Sequence, residues 1–125
     1  MGTALELTDD ALRVRLTGRD ALYSLKRSLV VPLDRVAEVR AVDRDAMRKT
    51  KTIRAPGTGL PGRIKAGTFR GSAGKEFWNV RRAHRLLELE LRDTEYARVV
   101  LELPDPDAEA DRIRAAVDSL ARRDL

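Results

Sequence analysis

The sequence predicts a mostly β fold closed by one C-terminal α-helix. Three observations predict it. Apolar and polar residues alternate with a period of two over most of residues 3–103, as half-buried strands require. Short clusters rich in Asp, Gly, Pro and Thr separate the alternating runs, and such residues turn the chain. Only residues 105–122 combine a cap, a proline at the first helical position and a helical apolar stripe.

Taken in order, Leu5 and Leu7 alternate with Glu6, and Leu12, Val14 and Leu16 with Arg13 and Arg15. The intervening Thr8-Asp9-Asp10 predicts a hairpin, and Gly18-Arg19-Asp20 a second turn. Tyr23 to Leu33 reads as strand with Leu29, Val31 and Leu33 on one face, and Pro32 places it at an edge or strand end because proline cannot donate to a ladder. Val36 to Val42 is a further strand, entered through a short turn at Asp34-Arg35. Residues 43–58 lose the alternation: Arg44 to Thr52 is expected to form a long basic loop or a fragment of helix, and Ala55 through Gly62 to form turns forced by its Gly and Pro residues. Ile64 to Phe69 forms a short strand, Gly71 to Gly74 a hairpin tip, and Phe77 to Val80 the next strand. Leu87, Leu89 and Leu91 alternate with Glu88, Glu90 and Arg92, and Val99, Leu101 and Leu103 follow the turn Asp93-Thr94-Glu95 as the second arm of a hairpin. The count is about seven strands.

Asp105 then caps a helix, Pro106 suits its first position, and Asp107 and Glu109 match the positive end of its dipole. Ala110, Ile113, Val117 and Leu120 form one apolar stripe that packs onto a sheet. Leu89 and Val99 are expected core residues, and Ile113 and Val117 are expected to pack onto a sheet.

At 125 residues the chain is read as a single domain over 1–125, with strands over about 3–103, the basic loop over about 43–58 and the helix over about 105–122. Zero cysteines exclude a disulfide scaffold, a thiolate zinc site and a cysteine nucleophile. The strongest apolar run, Leu29-Val30-Val31, is far too short to span a bilayer. Met1-Gly2-Thr3-Ala4 leads directly into alternating sequence without a signal-peptide pattern, and Glu6 breaks the myristoylation pattern that Gly2 would begin. The expectation is a cytoplasmic protein, at most peripheral at the inner membrane face.

The element order, with Gly59-Leu60-Pro61-Gly62, Ala66-Gly67-Thr68-Phe69, Phe77-Trp78-Asn79-Val80 and Val99 through Asp105-Pro106, resembles small actinobacterial proteins of the bacterial pleckstrin-homology-like (PH-like) class. That resemblance implies a PH-like barrel, two orthogonal antiparallel sheets closed by the helix. Eukaryotic relatives of the fold often bind phosphoinositides through basic residues between the first two strands. Here that loop is the acidic Thr8-Asp9-Asp10, so an anion site has to come from elsewhere in the chain.

Catalytic patterns are missing from the sequence. Gly57 to Gly62 spells GxGxxG, but neither a preceding strand nor a following helix is expected there, as dinucleotide binding requires. Gly71-Ser72-Ala73-Gly74-Lys75 is too short for a phosphate loop. His84, the sole histidine, lies among Arg81, Arg82 and Arg85 and reads as an exposed turn residue without an orienting partner. The Asp105, Asp107, Glu109 and Asp111 run reads as a solvated helix start. Neither catalysis, metal nor cofactor is expected. Phe77 and Trp78 are adjacent in a strand and therefore point to opposite faces.

Charge supplies the functional expectation. Residues 44–85 carry twelve basic and two acidic side chains, residues 1–43 balance at seven each, and residues 86–125 carry six basic and eleven acidic. The +10 middle segment beside a −5 tail predicts a non-catalytic binding or adaptor module. Its basic face would comprise Arg48, Lys49, Lys51 and Arg54 on the long loop, extended by Arg63, Lys65 and Arg81. The expected partner is an acidic protein. Anionic lipid headgroups come second and nucleic-acid backbone third, since base stacking needs several exposed aromatics and only Trp78 is a candidate.

Overall fold

The computed structural model describes the backbone of residues 2–17, 28–43, 52–60, 64–71, 74–80 and 84–123, and the side chains of most of these. Nine strands are found among them: β1 Gly2–Leu7, β2 Ala11–Thr17, β3 Ser28–Pro32, β4 Val36–Asp43, β5 Thr52–Leu60, β6 Ile64–Gly71, β7 Gly74–Val80, β8 Arg85–Leu91 and β9 Arg98–Leu101. A 3-10 turn, Leu33–Arg35, enters β4 at the expected place, and one helix, α1 Pro106–Arg123, follows β9. The mostly β layout with a C-terminal helix is as the sequence predicts.

The strands form two sheets, β1-β2-β3 and β4-β8-β9-β7-β6-β5, and neither closes into a barrel. The first is an antiparallel meander. Its Thr8-Asp9-Asp10 turn is fastened by Thr8 N–H donating to the Ala11 carbonyl (2.9 Å) and Ala11 N–H donating to Thr8 Oγ1 (3.1 Å).

The larger sheet departs from the expectation in three respects. First, residues 52–60 are not loop: β5 pairs antiparallel with β6 from Thr52↔Gly71 to Leu60↔Ile64. The ladder slips between Arg54 and Gly57, where Pro56 has no N–H to give, and a bulge on an edge strand absorbs the defect. Second, the strands are not all antiparallel. β8 and β9 form the expected hairpin, but β9 inserts beside β7 and runs parallel to it. Ala97 N–H donating to the Lys75 carbonyl (2.7 Å) and Glu102 N–H donating to the Asn79 carbonyl (3.0 Å) prolong that pairing at both ends. Third, β4 carries a bulge between Val36 and Glu38. An extra residue shifts side-chain parity by one, which is why Val36 and Val39, three apart, share one core while Val42 packs on the other side. The Gly71↔Gly74 pair confirms the β6–β7 hairpin. The turn after β8 places Asp93 at φ 56, a left-handed conformation that Asp tolerates better than most residues. The expected turn at 18–20 and strand at 23–27 lie outside the described residues.

One core lies between the two sheets and α1. Leu12, Val14 and Leu16 of β2, Leu29 and Val31 of β3, Phe77 of β7, Leu87 and Leu89 of β8 and Val99 and Leu101 of β9 are buried there with Ala110 and Ile113 of the helix. Burying each such Leu, Val or Phe contributes about 1.5–3 kcal/mol. Phe77 meets Tyr96 edge-on at 5.8 Å between centroids, and Asn79 Nδ2 donates to Thr3 Oγ1 (2.6 Å), linking β7 to β1. Asp105 caps α1 through its Oδ1, which accepts from Ala108 N–H (3.1 Å). Val117 and Leu120 are partly buried and pack against this core. Among the described residues no helix is long and apolar enough to cross a membrane.

The six-stranded sheet also buries its other face. Phe69, Trp78, Val80, Leu86 and Val100 form a second apolar cluster, with Val42 packed against it. Phe77 and Trp78 thus point to opposite faces, as adjacent strand residues must, and both are core.

Candidate functional site

The residues of the expected basic face fall largely outside the described part of the structure. Arg48, Lys49, Lys51, Arg63 and Arg81 lie outside the described residues, while Arg54 and Lys65 have described backbone only, in β5 and β6. Their ladder positions are opposite Phe69 for Arg54 and opposite Gly59 and Val80 for Lys65.

Three other basic residues of the +10 segment have described side chains. Arg70 and Lys75 are directly opposite each other across the β6–β7 hairpin, and both are exposed. Like charges at opposed positions repel, and the ion pair of Lys75 with Glu95, at 4.0 Å, only partly offsets this. Arg85 differs. It donates to both Asp107 oxygens (2.8 and 3.0 Å) and to Asp43 (3.1 Å), tying β8 to the first turn of α1 and the end of β4. The Arg85 hydrogen bonds and charge hold the Asp107 carboxyl below the ordinary aspartate range. Those with Asp107 and then Asp43 raise the guanidinium above its own. His84 is exposed, as expected.

The second face of the large sheet holds a group of charges that the strand pattern alone did not reveal. Glu76, at 1% exposure, accepts from Trp78 Nε1 (2.9 Å). Arg98 of β9 lies directly opposite Glu76 of β7, and its Nε is 3.6 Å from Glu76 and 3.5 Å from Glu88, with only 16% of its side chain exposed. On β4, at the far side of β8, Arg40 donates to Glu88 and Glu90 (both 2.6 Å) and contacts Glu38 at 2.8 Å. Burial opposes the charge on Arg40, but hydrogen bonds to Glu38 and Glu88 and the charges of Glu88 and Glu90 outweigh it and raise its pKa. Two buried carboxylates thus meet two guanidiniums. Charges taken out of water need such pairing to be tolerable. A sequence signal for this existed in the adjacent apolar pairs Leu86-Leu87 and Val99-Val100, since a strand apolar on both sides is covered on both sides. Glu88 is accordingly buried, while Glu90 is half-exposed.

An open groove of about 230 Å³ lies between β4 and the second half of α1, bordered by Val36, Glu38, Val39, Arg40, Arg114, Val117 and Asp118. Among the described residues no group of three or more His, Cys, Asp and Glu side chains is arranged to hold a metal ion. No protein-family model, curated protein or solved structure matches the chain.

Proposed function

We propose that this chain is a non-catalytic binding module of PH-like type that engages an acidic protein partner through its basic segment. The carrying observation is the +10 balance of residues 44–85 against −5 for residues 86–125. The exposed, directly opposed Arg70 and Lys75 support it, because an anion placed between two like charges removes their repulsion. Two sheets with a terminal helix support the PH-like reading, while nine strands and the parallel β7–β9 pair set this chain apart from a seven-strand antiparallel version.

Magnitudes favour a protein over a lipid surface. Each Lys or Arg near an anionic membrane contributes about 1 kcal/mol, so four or five give roughly millimolar binding. A folded acidic partner adds shape and buried contacts to the same charges. Salt cuts electrostatic reach from about 10 Å at 0.1 M to about 3 Å at 1 M. The test is pull-down from lysate and co-sedimentation with anionic vesicles at low and high salt, using wild type and the Lys49→Glu/Lys51→Glu variant. Capture of a discrete acidic protein, lost at high salt and in the variant, is the expected result. Equal recovery across salt and variant reduces the basic segment to a solubility feature, and vesicle binding without protein capture favours the lipid alternative.

A further inference from the structure

The order of the large sheet leaves β4 at one edge, and among the described residues no strand pairs along its outer side. Such an edge offers unpaired backbone groups to other chains, and folded proteins close it with bulges, charges or a covering segment. β4 has a bulge between Val36 and Glu38, which breaks the phase at its start. Beyond it the register with β8 is regular, from Glu38↔Glu90 to Asp43↔Arg85. The backbone groups of alternate residues therefore point to the same side.

A side chain covers the regular stretch. Arg114 of α1 reaches back to the strand, and its Nη2 donates to the Val39 carbonyl at 2.7 Å. That carbonyl thus faces away from β8, and so do the backbone groups of Ala41, two residues on. An added strand would use Val39 and Ala41 together, with a backbone nitrogen about 2.9–3.0 Å from the Val39 oxygen. A carbonyl can accept twice, but the added strand would also have to run about 4.8 Å from β4. The Arg114 nitrogen stands within that gap. Its guanidinium is steadied at the other side, where Nη1 donates to Asp111 Oδ1 (3.0 Å), one helical turn earlier. Arg114 borders the open groove between β4 and α1, and 52% of its side chain is exposed. It crosses toward the strand over open space and fills no part of the core.

We propose that Arg114 is an edge guard. By holding the Val39 carbonyl from the helix, it keeps β4 from pairing with a strand of another chain. The contact uses no residue of the 44–85 segment and is independent of the binding proposed above.

The test is sedimentation equilibrium of the full chain over a wide concentration range. The chain is its own probe, because every copy carries the same edge. Wild type is expected to stay at 14.0 kDa. Arg114→Ala opens the edge, and its mass is expected to rise with concentration while its far-UV spectrum and urea midpoint stay near those of wild type. Adding Ala41→Pro removes the outward N–H beside Val39, a change that edge strands tolerate, and is expected to restore 14.0 kDa. An Arg114→Ala chain that stays at 14.0 kDa overturns the proposal and reduces the contact to a tie between helix and sheet. Association that survives Ala41→Pro overturns it equally, because it does not run through this edge.

Discussion

Replacing Arg98 by Met isolates the buried charge group as a stability problem. Arg98 pairs with Glu76, which is almost fully buried, and it also reaches Glu88. Methionine fills most of the volume but leaves Glu76 with only the Trp78 indole as a donor, while Arg40 remains bonded to Glu88 and Glu90. Removing one partner of a buried ion pair costs about 3–5 kcal/mol, because the other charge stays desolvated and uncompensated. Against a total stability of about 5–15 kcal/mol this is a large loss, and it lowers Tm by roughly 10–20 °C. The single tryptophan, Trp78, sits within the group. Urea unfolding followed by its emission and by far-UV circular dichroism therefore reads the perturbed region and the whole fold together. Coincident curves validate the two-state treatment. Adding Glu76→Gln removes the orphaned charge and keeps an acceptor for the indole. The double variant should regain about 1–3 kcal/mol over the sum of the single losses. An Arg98→Met loss below about 1 kcal/mol, or strict additivity in the cycle, refutes the reasoning and makes the charges a solvated group.

Two further outcomes follow from the helix start. Asp105→Ala leaves the Ala108 N–H without its cap and should cost about 1 kcal/mol in urea unfolding, with Asp105→Asn close to wild type. Asp107 is held below its ordinary value of 3.8, chiefly by the hydrogen bond from Arg85. A depressed carboxylate stabilises the folded state above the unfolded-state pKa, and that contribution is lost as pH falls through the lower folded-state value. Carboxyl-carbon NMR should show Asp107 titrating low in wild type and in the ordinary range in Arg85→Ala, and an unchanged midpoint would discount the pairing.

The elements read most surely from sequence are those where one face is core and the other is not. β2, with buried Leu12, Val14 and Leu16 between exposed Arg13 and Arg15, is of this kind, as is α1 with its Asp105 cap. β5 was missed because its alternation is broken by Pro56, Gly57 and Gly59, and those residues signal a turn unless a neighbouring strand supplies the ladder. Here β6 does. The parallel placement of β9 was not legible either. Local pattern fixes the β8–β9 hairpin, but which edge of that hairpin meets β7 depends on long-range packing, and Val99 and Val100 are apolar toward both cores.

Segment charge sums fail for the same reason that the buried group was missed, since they ignore pairing in three dimensions. Glu88, Glu90 and Asp107 all belong to the −5 tail. Yet Glu88 and Glu90 are bonded to Arg40 of the neutral first segment and Asp107 to Arg85 of the +10 segment. The tail is therefore less acidic toward solvent than its sum suggests, and the middle segment gives up Arg85 and, at 4.0 Å from Glu95, Lys75 to it. What survives as an outward imbalance is the part of 44–85 that is not spent in this way. Among the described side chains Arg70 represents it, directly opposite Lys75, whose own charge lies 4.0 Å from Glu95 of the tail.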